Sequence, residues 1–184
     1  GKYEFIPSYS PETGCGINAT MDIAVAREVL TNLIEGCRDL GIEADNIPKW
    51  QAMLDKLPAY RINGKGELAE WITGDEPEHY GHRHCSHLYP VFQSFELTPE
   101  SNAALWAAAR KATQAKVDGS GERSSFNRMQ SGIAAAYLRM PEAAWRQFAV
   151  MASMKNMYPS MITSHEPDGG ILNTDGNGSI PELL

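Results

Sequence analysis

Between His79 and Tyr89 the chain carries four of its five histidines (His79, His82, His84 and His87), together with Arg83 and the Cys85 thiol. Three kinds of chemistry use such a set. The imidazoles could ligate Zn²⁺, although structural zinc sites favour separated ligand pairs, often thiolates, and no Cys-x-x-Cys pair occurs in this sequence. The histidines could equally be braces, satisfied by neighbouring carbonyls and carboxylates. In the third reading Arg83 and His84 donate hydrogen bonds to a polar ligand while Tyr89 or Trp71 stacks against it. That mixture suits a sugar, which has hydroxyl edges and apolar faces.

Carboxylates are the second ingredient: Glu12 in a proline- and glycine-punctuated opening, Glu70 beside Trp71, and Asp175 in the tail. Glycoside hydrolysis takes two acidic groups on opposite sides of the scissile bond, about 6.5–9.5 Å apart when the reaction inverts configuration. With 23 acidic residues in the chain, most of them expected at the surface, only the fold can select such a pair. The tail has a rival reading. Asn173-Thr-Asp175-Gly-Asn177-Gly178-Ser-Ile180 matches the first half of a calcium loop, with oxygen ligands at positions one, three and five and glycine at six. The match then breaks, because Pro181 stands at position nine and Leu184 replaces the bidentate glutamate at twelve.

The elements that must position these groups are mostly helical. Thr20 caps a long amphipathic helix with Asp22 in its first turn; Val25, Val29, Leu33, Cys37 and Leu40 recur on one side, and Gly41 stops it. Asn46 caps a shorter helix that Pro58 ends, and Asn63-Gly64 marks a small hairpin between short strands. Thr98-Pro99 opens an alanine-rich helix running to about Val117, and Asp118-Gly-Ser-Gly-Glu122 is loop. A helix from Ser124 to Met140 turns Phe126, Met129, Ile133 and Tyr137 inward, and another from Pro141 to before Pro159 does the same with Ala144, Phe148 and Met151. Residues 164–179 read as loop, with a helix starting at Pro181. Five helices in antiparallel pairs make a mainly α fold, part of an (α/α)₆ toroid with one small β-hairpin.

The totals bound what this fold can do. With 184 residues and 42% hydrophobic content the chain supports one core, and residues 1–184 read as a single fragment of a larger catalytic domain. A formal charge of −7 and the lack of any Lys/Arg run exclude the counterion-releasing surface a nucleic acid needs. No apolar run approaches the roughly 20 residues of a membrane span, and the start, Gly1-Lys-Tyr-Glu-Phe-Ile-Pro7, lacks a signal-peptide pattern. Three cysteines, Cys15, Cys37 and Cys85, are an odd number that argues against a disulfide framework and leaves room for one bridge, and Cys37 reads as a buried, inert thiol.

Four stretches taken together resemble glycoside hydrolase family 95, the family of α-L-fucosidases and α-L-galactosidases. They are Pro7-Ser-Tyr-Ser-Pro-Glu12; Thr20-Met-Asp22; Glu67-Leu-Ala-Glu-Trp71 followed by His82-Arg-His-Cys-Ser-His-Leu-Tyr89; and Asp175-Gly-Asn-Gly178. The resemblance runs over nearly the whole chain and covers the later half of that family's (α/α)₆ barrel. It implies an inverting glycosidase without metal or cofactor, bacterial and extracytoplasmic (periplasmic or secreted), whose partners are a carbohydrate substrate and the missing remainder of its own catalytic domain. Glu12 would be the general acid and Asp175 would help activate water. Arg83, His84, His87, His165 and Asn177 would hold the sugar, and Glu70 with Trp71 would line or brace the pocket.

This chain departs from the family pattern in several places. The family's water-activating asparagine pair has no counterpart here, which implies that the fragment alone is inactive. Ser124-Ser-Phe-Asn-Arg128 stands where Trp-Ser is usual, His165-Glu-Pro-Asp-Gly-Gly-Ile-Leu-Asn-Thr174 where His-Pro-Pro-Phe is usual, and Gly178 where an aromatic is usual. Those positions surround the sugar, so they bear on which sugar is held. Two other classes stand beside this reading: a metal- or calcium-binding helical module, and a helical scaffold fragment without catalysis. A fragment of a toroid should also expose an apolar edge where the remaining helices dock.

Overall fold

The computed structural model describes residues 1–74, 76–119, 124–153, 156–167 and 169–183. Among them the fold is mainly α, with seven helices and two small two-stranded antiparallel sheets. The opening, expected as loop, is a hairpin: β1 (Ser8–Ser10) pairs with β2 (Gly14–Gly16) in the register Ser8↔Gly16, Tyr9↔Cys15, Ser10↔Gly14. Its glycines follow from what lies beneath. A Cβ on Gly16 would approach the buried Trp71 ring to 3.1 Å and the Glu76 side chain to 2.9 Å, so the strand can lie on that ring only without a side chain there.

Helix α1 (Thr20–Leu40) ends as expected at Gly41, whose φ of 65° lets its amide reach Arg38 O while the next amide reaches Cys37 O. Its start differs: Ala19 is the cap residue, and the Thr20 hydroxyl donates instead to Ala69 O at 2.7 Å. Its inner face differs too. Ile23, Ala24, Ile34 and Cys37 are buried, whereas Val29, Leu33 and Leu40 are 58%, 38% and 73% exposed. The helix has apolar residues on more than one side, and the face docked on the neighbouring elements is the one bearing Ile23 and Ala24. Helix α2 (Ile47–Asp55) packs on α1; Asn46 precedes it without a side-chain cap bond, its amide donating to Glu43 instead.

The hairpin expected around Asn63-Gly64 reduces to a single bridge between Ile62 and Leu68. Asn63 Oδ1 accepts the Lys65 and Glu67 amides, which closes a turn without requiring strands. The histidine segment then runs through a 3₁₀ turn at Ser86–Leu88 into the one-turn helix α3 (Tyr89–Phe92). Helix α4 spans Ala103–Gly119 and starts later than the Thr98-Pro99 signal. Thr98 and Ser101 satisfy each other's amides through their hydroxyls, and Asn102 Oδ1 accepts the Leu105 amide. Asp118 and Gly119, expected in a loop, finish α4; residues 120–123 of that loop lie outside the described residues.

Ser124 caps α5 (Ser125–Tyr137), accepting the Asn127 amide, and α6 (Pro141–Met151) returns antiparallel, so that Arg128 at the start of α5 donates to Gln147 late in α6. The tail, expected as loop, folds into β3 (Ser164–Glu166), β4 (Gly169–Leu172) and α7 (Thr174–Leu183). Asn173 Oδ1 accepts the Gly176 amide at the head of α7, and Pro181 lies inside the helix rather than opening it. A calcium loop is therefore not what this segment forms: its would-be ligand positions are a helix turn.

Leu68, Leu88, Val91, Ala108, Ala109, Ala112, Ile133, Ala134 and Leu138 form the centre of the core. Each fully buried leucine or isoleucine contributes about 1.5–3 kcal/mol, and the alanines let α4 approach α5 closely. Helix α7 runs in the same direction as α5. Ile180 shares a cavity with Phe148 and Ala152, level with the start of α5, while Leu183 lies near Gly132 and Glu182 accepts from Tyr137 near its end.

Candidate active site

Glu12 sits at the tip of the β1–β2 hairpin with a left-handed φ of 59°, preceded by Pro11. Proline followed by a residue of positive φ is the pattern of a type II turn, where glycine is the ordinary choice. The Thr13 amide closes the turn on Ser10 O at 3.0 Å. The Glu12 side chain, 48% exposed, is ion-paired with Arg83 Nη2, and its Oε2 lies 3.6 Å from both His82 Nε2 and His84 Nε2. His82 Nδ1 accepts the His84 amide, which leaves the ring proton on Nε2, toward Glu12. Burial lowers the pKa of His84; Glu12 works against that shift, and His82, Arg83 and Lys116 add to it.

The segment bearing Arg83 and His84 hangs from the helices behind it. Buried Lys116, on α4, donates to His82 O at 2.7 Å; Asn127 Nδ2 reaches His82 O and Arg83 O at 3.4 Å each; Gln130 Oε1 accepts the Cys85 amide at 2.8 Å. The His84 ring lies 5.3 Å from that of Phe126. The start of α5 thus sets the height of the whole wall. Beside it a cavity of about 240 Å³ is lined by Pro11, Met21, His84, Tyr89, Phe92 and Gln130. Cys85, fully buried, has its thiol pushed up to about 11 and is no nucleophile.

Glu70, Trp71 and His87 lie under this surface rather than on it. Trp71 is 1% exposed beneath the glycines of β2, and His87 is 1% exposed, with neither ring nitrogen hydrogen-bonded among the described residues. Both side chains are buried, so Trp71 has the place of a brace rather than of a stacking platform, and His87 lies beneath the wall on which the resemblance set it. Burial lowers the pKa of His87 to about 4, outweighing Glu70 beside it, so the ring is neutral at pH 7. Glu70, 2% exposed, accepts the hydroxyls of Ser10 and Thr13 on one carboxylate oxygen, the latter at 2.8 Å. Burial pushes its carboxyl upward, but the His87 ring, those two hydroxyls and the Lys116 ammonium more than offset this and hold it below the ordinary value.

In the tail, Asp175 is exposed in the first turn of α7. Because α5 and α7 run the same way, it lies at the end of the bundle that carries Glu12 and Arg83, although among the described residues no hydrogen bond or ion pair joins it to them. Asn177 is engaged at both ends of its amide: its Oδ1 accepts the Thr163 amide at 2.8 Å and its Nδ2 donates to Met161 O at 2.8 Å. It clamps the 161–163 turn to α7. His165 is partly exposed, 3.1 Å from Asn173 Nδ2 and 3.5 Å from Glu166. Among the described residues no group of three or more His, Cys, Asp or Glu side chains is placed to hold a metal ion.

The residues that sequence reasoning passed over are the supports: Ser10, Thr13, Lys116, Asn127 and Gln130. Lys116 left one signal, a charge on the buried side of an otherwise alanine-lined helix.

The described residues thus show one carboxylate to an arginine–histidine wall and carry a second, exposed carboxylate at the head of α7. Residues 1–181 match the glycosyl hydrolase family 95 catalytic domain, and the chain belongs to that family. It is 28% identical over 183 residues to alpha-L-fucosidase 2 of Arabidopsis thaliana, a match taking in 88% of this chain and 21% of the plant protein. The chain therefore spans about a fifth of the length of that curated relative.

Proposed function

We propose that this chain forms part of the catalytic domain of a larger, extracytoplasmic, inverting glycosidase that removes α-L-fucose or a related α-L-sugar from glycans. The observation that carries the reading is the placement of Glu12, on a hairpin tip facing Arg83, His82 and His84. In this mechanism Glu12 protonates the departing glycosidic oxygen while Asp175 helps draw a proton from water on the opposite face of the ring. Arg83 and His84 hold sugar hydroxyls, and His165 supplies a further contact to the sugar. The chain by itself is inactive, since the water-activating asparagines of the family are not in it.

Glu12→Gln and Asp175→Asn, made in the complete protein that contains this chain, should each lower hydrolysis of an aryl α-L-fucoside or α-L-galactoside at least about a hundredfold. NMR of the first-formed sugar should show the β anomer. Unchanged turnover in both variants, or an α first product, would sink the reading.

A further inference from the structure

We infer that Glu70 is a positioning residue for Glu12: it holds the hairpin tip in the one conformation that presents the proton donor, without touching substrate. The inference rests on the reading of Glu12 as general acid. Glu12 occupies a left-handed backbone conformation that is strained for a non-glycine residue, so its tip relaxes unless something outside the turn pins it. The turn's own bonds are local: Thr13 reaches back to Ser10 O, and the Glu12 amide donates to Tyr9 Oη at 3.0 Å. Glu70 supplies the external anchor. A single carboxylate oxygen accepts the hydroxyls of Ser10 and Thr13, the residues at either end of the four-residue turn, across 60 and 57 positions of sequence.

The anchor is itself immobilised. The Glu70 amide donates to Glu78 Oε2 at 2.8 Å, its carbonyl accepts the Thr20 amide at 2.9 Å, and Trp71 next to it bridges to Ala19. The first turn of α1, the strand-like 68–71 segment and the hairpin therefore form one rigid body. Its polar interior, with the Lys116 ammonium close to Glu70 and the Ser10 and Thr13 hydroxyls on its carboxylate, keeps the buried anchor ionised.

The test exploits leaving-group dependence in the complete protein. A glycosyl fluoride departs with little protonation, whereas a fucosyl or galactosyl disaccharide needs the acid. Ser10→Ala/Thr13→Val frees the tip while leaving Glu70 and its buried neighbours intact, which avoids the misfolding that Glu70→Ala risks. Expected is a tenfold or larger fall in kcat on the disaccharide, less than threefold on the fluoride, KM unchanged on both, and no further loss when Ser10→Ala/Thr13→Val is added to Glu12→Gln. Glu70→Gln, which keeps an oxygen for both hydroxyls, should recover most of the rate that Glu70→Ala loses. Equal losses on the two substrates, or no loss on the disaccharide, would overturn the positioning role while Glu12→Gln still showed the selective defect. If Glu12→Gln lacks that selectivity, both this inference and the acid assignment fall.

Discussion

At the scale of single residues, this chain uses its polar side chains in two layers. Glu12, Arg83 and His84 face outward, and Glu70, His87 and Lys116 lie beneath them. His87 gives the clearest prediction. Its folded pKa of about 4 lies below the unfolded value, so unfolding takes up a proton; the stability it contributes is complete above about pH 6.5 and is lost as pH falls toward 4. Glu67, Glu70 and Lys116 surround it, and Glu70, held low, adds its own acid lability only below its ordinary range. Urea titrations should show about 2 kcal/mol less stability at pH 5 than at pH 7.5 from this ring alone, and His87→Leu should flatten the curve by that amount. An unchanged slope in the variant would mean the ring is not buried neutral.

At the scale of elements, the helices were the legible part and the hairpins were not. Helical periodicity repeats over many residues, so a chance substitution does not erase it; α1, α2 and α5 begin and end near their capping and proline signals, while α6 begins at Pro141 but stops at Met151, well before Pro159. Strands of three residues offer too few alternations to be read, and both hairpins looked like loop. Helix α7 was hidden for another reason: three of its first five residues are Gly, Asn and Gly, poor helix formers that tertiary contacts override. Gly176 shows the contact. A Cβ there would meet buried Thr163 Oγ1 at 2.5 Å, while Thr163 is bonded to Asn173 and Asn177. Gly176→Ala should therefore cost about 1–3 kcal/mol, read as a lowered thermal midpoint, and should loosen the turn that leads to Asp175. A midpoint equal to that of the parent would show that Thr163 yields without penalty.

At the scale of the molecule, α1 has two apolar sides and only one is covered. Val29, Leu30 and Met53 join Tyr3, Phe5 and Leu57 around an open cavity of about 410 Å³, and Leu33 and Leu40 extend the exposed apolar surface. An apolar face of that kind on a free polypeptide drives association. This chain on its own should sediment as a concentration-dependent oligomer, and Val29→Glu/Leu33→Glu should return it to monomer; a monomer without the substitutions would show that the face is tolerated in water. On that surface lie Val29, Leu33 and Leu40 of the expected stripe of α1, of which Cys37 is buried. Both stripes satisfy the helical period, and choosing between them requires knowing what each one meets.

The sequence alone determined that the protein is mainly helical, and it carried the family in its Ser-Pro-Glu and His-Arg-His stretches. Those are statements about composition, period and motif, which survive in one dimension. Tertiary structure decided the layer each motif residue occupies. Glu70, Trp71 and His87 are motif residues that never reach the surface, and Asn177 spends its side chain on the 161–163 turn. Burial and hydrogen-bond occupancy depend on residues tens of positions away, such as Ser10 above Glu70 or Gly16 above Trp71, and only folding brings those partners together.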